Sequence, residues 1–230
     1  MKNKILWLVS ALSVVIAAVS LKYLPDSVPM HFDINGVADG YGSKAEMFVF
    51  PVMIVLLTII YNVVSKKCRK NVDKNSDEKT AVVNRNNKKI LDTSMIVIAF
   101  MFLFLQLAIL YTVFKAAANN SADTMPDESY SFITAIMGVA FILLGNMMPK
   151  AKKNSAFGIR THWSMANDKT WSMSNRFGGF VLLISGVIMT VCALIFNGFV
   201  LAYIYLICLL ASIVLSVAYS YSVYKKYGKE

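Results

Sequence analysis

The sequence predicts an all-α membrane protein: six transmembrane helices, both termini cytoplasmic, an ordered extracellular loop and a cytoplasmic interfacial segment. Three observations lead there. Of 230 residues, 57% are hydrophobic and only 16% charged, and the mean hydropathy is +0.57, outside the range of ordinary soluble domains. The apolar residues gather into charge-free runs of about 20, the length needed to cross about 30 Å of hydrocarbon at about 1.5 Å per residue. Lys and Arg gather on alternate connections, as the positive-inside rule requires.

The runs are taken in order. The first, 5–21, follows Lys2 and Lys4 and ends near Ala18-Val19-Ser20, which resembles a signal-peptide cleavage site. It is long for a signal, so it is read as a permanent helix. Runs 47–65, 93–114 and 129–148 supply the next three helices. The last, 177–224, is long enough for two and is cut at Phe196-Asn197-Gly198, where Asn and Gly favour a turn. With the N-terminus inside, every Lys and Arg falls inside except Lys22, Lys44 and Lys115. The formal net charge of +10 is therefore a topology signal first. The cations sit at helix ends beside an anionic leaflet, so lipid headgroups, and not direct nucleic-acid binding, are their expected partners.

The connections differ in kind. The inner stretch 67–90 is rich in Lys, Asn and Asp without apolar periodicity and is read as a mobile basic linker. It divides a two-helix module, 1–66, from a four-helix module, 91–230. The outer stretch LPDSVPMHFDINGVADGYGSK, 24–44, is unlike a tether. Pro25 and Pro29 end the first helix, residues 28–34 nearly alternate apolar and polar, and Asn35-Gly36 signals a turn. The inner stretch 145–179 has Pro149 as a stop, lysines at headgroup level, and Trp163 and Trp171 at helical spacing. It is read as a short helix lying in the interface, with both tryptophans as anchors.

These two stretches resemble the SdpI family of bacterial membrane proteins. Residues 24–44 resemble its N-terminal accessory module of unknown function through Leu-Pro-Asp, Pro-x-His-Phe, Asp-Gly and a closing Lys. Residues 145–179 resemble the C-terminal signature through Gly-Asn-x-Met-Pro-Lys, Phe-Gly-Ile-Arg-Thr-x-Trp, a second Trp and Asn-Arg-x-Gly-Gly. The slot between Thr161 and Trp163, often Pro in the family, is His162. The resemblance implies a bacterial plasma-membrane protein giving immunity to a secreted antimicrobial peptide toxin. It also implies a signalling role in which a small transcriptional repressor is held at the membrane.

Candidate toxin-binding residues are His31, Phe32, Asp33, Gly36, Asp39, Tyr41 and Lys44, on a loop whose aromatic and acidic groups suit a cationic or amphipathic peptide. His31 with Asp33 and Asp39 carries zinc-ligand types, but one His without Cys points to a packed His in an ordered loop and to no metal or cofactor. Candidate partner-binding residues at the inner motif are Asn146, Pro149, Gly158, Arg160, Thr161, Trp163, Trp171, Asn175 and Arg176. Arg160 and Arg176 suit a lipid phosphate, Asp168 or an acidic partner. No nucleophile–base pair is evident, so an enzyme is not expected. The spans hold few strong polar groups, chiefly Asn146, Gln106 and Asn62, with Asn146 expected to join helices. The alternatives are a transporter or channel for a neutral solute, with a polar path near Asn146 and Gln106, and an envelope-stress scaffold.

Overall fold

The computed structural model describes residues 2–33, 36–74, 78–118 and 124–229. Its helices are α1 (Lys2–Ser20), α2 (Val49–Lys74), α3 (Glu78–Ala118), α4 (Asp127–Met147), α5 (Asp168–Ile195) and α6 (Val200–Tyr227). Between α1 and α2 stand two strands, β1 (Ser27–Phe32) and β2 (Ala38–Ser43), and a 3-10 turn, Lys44–Phe48. All six helices are long and apolar enough to cross a membrane. The chain is a multi-pass membrane protein, and the break expected at 196–198 separates α5 from α6, with Gly198 at φ 71°.

The basic stretch 67–90 corrects the expectation of a mobile linker. Apart from residues 75–77, which lie outside the described ones, it is helical, as the end of α2 and the start of α3. The reason is cooperative. Nucleation is the costly step of helix formation, and a cylinder already nucleated in the bilayer lengthens without repeating it. Polar contacts then steady the extension. Lys88 Nζ lies 2.8 Å from Asp92, and Asn87 Oδ1 accepts from the Lys152 amide at 2.9 Å.

Packing gathers the helices in threes. Leu6 and Val9 of α1, Ile54 and Tyr61 of α2, and Leu91, Ala99 and Leu103 of α3 form one buried cluster, and Phe141, Met189 and Cys208 join α4, α5 and α6. The expected module boundary at 90/91 is thus not a boundary in packing, because α3 shares a core with α1 and α2. With no hydrophobic drive between helices in lipid, small residues and hydroxyls hold the contacts. Ser10 and Thr58 hydroxyls are 3.1 Å apart, Thr112 and Ser129 2.7 Å, and Ser185 and Ser212 2.8 Å.

The tightest crossing joins α4 to α5. A Cβ on Gly145 would lie 2.7 Å from the Gly179 carbonyl oxygen, and one on Gly179 would lie 2.7 Å from that of Gly145. Two helical turns away, Gly138 and Gly186 repeat the arrangement. The seven-residue spacing on each helix puts both glycines on one stripe, so the antiparallel backbones touch directly.

Three polar residues in or beside the spans are placed by specific contacts. Gln106, 2% exposed, is tied to Ser13 of α1, donating to its carbonyl at 3.0 Å and accepting from its hydroxyl. Asn146 is exposed and accepts from Lys150 Nζ at 3.3 Å, so it is not the interhelical link expected of it. Asp92, just before the apolar run 93–114, is buried and accepts from the Tyr61 hydroxyl at 2.8 Å.

Candidate functional site

The two unusual stretches lie at opposite ends of the bundle, and each is an ordered structure. At one end, β1 and β2 form an antiparallel hairpin pairing Ser27 with Ser43, Val28 with Gly42, Pro29 with Tyr41, His31 with Gly40 and Phe32 with Ala38. The register is irregular around His31, as it must be beside Pro29, which has no amide to donate. The extended reading of residues 28–34 holds over β1. Of the Asn35-Gly36 turn, Asn35 lies outside the described residues and Gly36 has φ 76°.

The base of the hairpin is fixed and its upper face is open. Leu24, Val28 and Met47 are buried against Leu110 and Val113 of α3. Ser43 caps the 3-10 turn and Glu46 reaches back to the Ser43 amide at 3.1 Å, a reciprocal capping box. Lys44 Nζ lies 2.7 Å from Asp26. This hydrogen bond, then the lysine's charge, holds the Asp26 carboxyl below its ordinary 3.8. At the tip, the Asp33 carboxylate accepts from the Val37 amide at 2.8 Å, and the Gly36 carbonyl accepts from the Met125 amide at 2.8 Å. A Cβ on Gly36 would lie 2.7 Å from the Tyr130 hydroxyl, so the tip docks on the α3–α4 connection and on α4. The upper face offers His31, whose side chain is 73% exposed and pairs with Asp39, and Tyr41, 50% exposed. Among the described residues, no cluster of three metal-ligating side chains is present.

The other end is built inward. Residues 151–167 form an irregular, turn-rich loop, and α5 starts at Asp168. This corrects the expected interfacial helix. Nor is Trp171 an interface anchor: it is 1% exposed and its indole N–H donates to the Ala151 carbonyl at 2.8 Å. Trp163 stays half-buried, its ring 4.9 Å from that of Tyr221. Asn175, 1% exposed, clamps the loop by accepting from the Ile159 amide at 2.7 Å. It also donates toward the Ile159 carbonyl at 3.5 Å and to that of Trp171 at 3.1 Å. Gly158, at φ 118°, is the residue that permits this clamp, since any Cβ there would run into Asn175 Oδ1. Thr161 completes the seal, its hydroxyl 2.8 Å from that of Ser220 on α6.

The motif therefore brings Gly158, Thr161, Trp171 and Asn175 together around Ile159. It leaves Arg160 and Arg176 exposed, and among the described residues neither pairs with Asp168. Asn146, Pro149 and Arg176 line a separate groove on the flank of α5. Sequence reasoning missed Ser164, fully buried, whose hydroxyl donates to the Ile159 carbonyl at 2.7 Å. It also missed Asn167, which caps α5 reciprocally with Thr170 and donates to the Tyr227 carbonyl at 2.7 Å. Asn167-x-x-Thr170 was a readable cap signal; Ser164 had none.

Comparison with known proteins agrees with these two structures end by end. Residues 8–55 match a domain of unknown function, DUF1648, and residues 150–222 match the SdpI/YfhL protein family. The chain is 24% identical over 225 residues, 98% of its own length and 97% of the relative's, to Immunity protein SdpI of Bacillus subtilis (strain 168). No solved structure matches. The hairpin module at one end, the signature loop at the other and a likeness running the whole length make the chain similar to the SdpI/YfhL protein family from end to end.

Proposed function

We propose that this chain is a non-enzymatic immunity protein of the bacterial plasma membrane, protecting its cell from a secreted antimicrobial peptide. The observation that carries the reading is the end-to-end likeness to Immunity protein SdpI. The positive-inside rule supports an outward-facing hairpin, on the side where a peptide toxin arrives. A hairpin with a clamped base and an exposed His31, Asp39 and Tyr41 suits an amphipathic or cationic peptide, because little ordering remains to oppose binding. The opposite end, with Arg160 and the basic ends of α2 and α3, suits an acidic cytoplasmic partner such as a small transcriptional repressor. A relay between the ends requires the peptide to bind one helix arrangement better than another.

The test is membrane potential, followed with a voltage-sensitive dye in toxin-sensitive Gram-positive cells challenged with a purified membrane-depolarising bacterial peptide. Cells expressing the chain are expected to hold their potential, and cells expressing a His31→Ala, Phe32→Ala variant to lose it. Depolarisation at the same rate with and without the chain, across a panel of such peptides, would sink the immunity reading. Protection by both chains would keep immunity and move recognition off the hairpin.

A further inference from the structure

One surface feature is not used by the immunity reading. On the flank of α5, between the end of α4 and Tyr219 of α6, lies a groove of about 580 Å³. Its floor is the Gly145–Gly179 crossing, where neither helix carries a side chain. Phe177, Phe180 and Leu183 form its apolar body. At its mouth stand Arg176 and Asn146, with Lys150 Nζ 3.3 Å from Asn146 Oδ1. Among the described residues, no Asp or Glu lines it.

The two halves of this groove sit at different depths. Arg176 is level with Asn146 and Lys150, where the apolar run of α4 ends. Phe180 and Leu183 lie about 6 and about 10 Å further along α5, inside the hydrocarbon. Phe180 is nonetheless 63% exposed, so the groove opens sideways toward lipid. A soluble protein would have to enter the bilayer to fill it, whereas a phospholipid already lies there with its phosphate at the mouth and its chains along the body. Two cations with no carboxylate beside them favour an anionic headgroup, because a zwitterionic one brings its own cation against Lys150.

We infer that this groove binds one anionic phospholipid, its phosphate held by Arg176 and the Lys150–Asn146 pair and an acyl chain laid over the glycine crossing. The lipid covers the open side of a crossing at which the two helix backbones already touch. The site is independent of toxin recognition.

The full-length protein, delipidated in detergent, is titrated with phosphatidylglycerol or phosphatidylcholine of identical chains and read by native mass spectrometry. One phosphatidylglycerol is expected to be retained with about a tenfold preference, the scale of a charge-assisted hydrogen-bond pair. Arg176→Gln should remove that preference, and Lys229→Gln, away from the groove, should leave it intact. A short-chain phosphatidylglycerol should bind about tenfold more weakly in the parent protein, since the apolar body goes unfilled. Equal retention of the two headgroups, an unchanged Arg176→Gln, an equal loss in Lys229→Gln, or displacement by inorganic phosphate as effective as by the lipid would each overturn the assignment.

Discussion

The hairpin and the signature loop are the two most motif-dense parts of the chain, and they use their motif residues in opposite ways. In the hairpin, backbone pairing and a buried base hold the shape, and His31, Asp39 and Tyr41 face outward. In the signature loop the side chains themselves hold the shape: Trp171 and Asn175 are each 1% exposed, and both bond backbone carbonyls or amides that the irregular loop leaves over. A dense motif is thus no guide by itself to a binding face. One end presents its residues, and the other spends them on its own architecture.

That contrast can be broken most forcefully at Trp171. Replacement by Ala removes a fully buried ring and its hydrogen bond, and a loss of about 3–5 kcal/mol is expected. Thermal unfolding in detergent would show it, and an unchanged midpoint would mean that the loop does not depend on its side chains.

Asn175→Ala and Gly158→Ala test the clamp from its two sides. The first strands the Ile159 amide and the second strains the backbone, each costing about 1–3 kcal/mol. Because they act on one contact, the double variant should cost less than the sum. Full additivity in the same unfolding assay would separate the two residues and dissolve the clamp.

Hairpin substitutions sharpen the other half of the comparison. His31→Ala and Tyr41→Ala are expected to move stability by no more than about 0.5 kcal/mol, as exposed positions do, while reducing protection in the dye assay. A large stability loss would make the upper face structural, like the signature loop.

The smallest effect concerns pH. Asp26 titrates below its ordinary value because of Lys44, so this clasp is complete above the carboxylate's unfolded value and is lost as pH falls through the lower folded one. Hydrogen exchange of the β1 and β2 amides should therefore be flat from neutral pH into the mildly acidic range, after correction for intrinsic rates. Exchange that rises only in more strongly acidic buffer, and no longer does so in Asp26→Asn, is the expected pattern.

The spans were legible because the bilayer demands a length and a composition that little else imitates, and the α5–α6 break because Asn197-Gly198 carries its own turn chemistry. The fold of the hairpin was half legible. Pro29 and the alternation around His31 announced an extended segment, but β2, with Gly40 and Gly42 and little apolar content, is a strand only because β1 is its partner. The inner segment was misread because Trp163 and Trp171 share helical spacing without sharing a helix. Trp171 is held by Ala151, twenty residues earlier, a contact that periodicity cannot express. Residues 67–90 were misread for the reverse reason: a search for apolar periodicity has no term for a helix inherited from the span beside it.

The helical character of that last stretch fixes where its charge stands. Asn86 reaches the Lys150 carbonyl at 3.2 Å, which puts that turn of α3 level with the end of α4. Lys79, seven residues nearer the start of α3, therefore stands about 10 Å beyond that level. Ionic screening at physiological strength has a decay length of about 8 Å, so charges at this height are largely out of reach of the leaflet's surface potential. A slack basic tether would collapse onto the lipid; the helix of α3 keeps Lys79 at a set height beyond the end of α4.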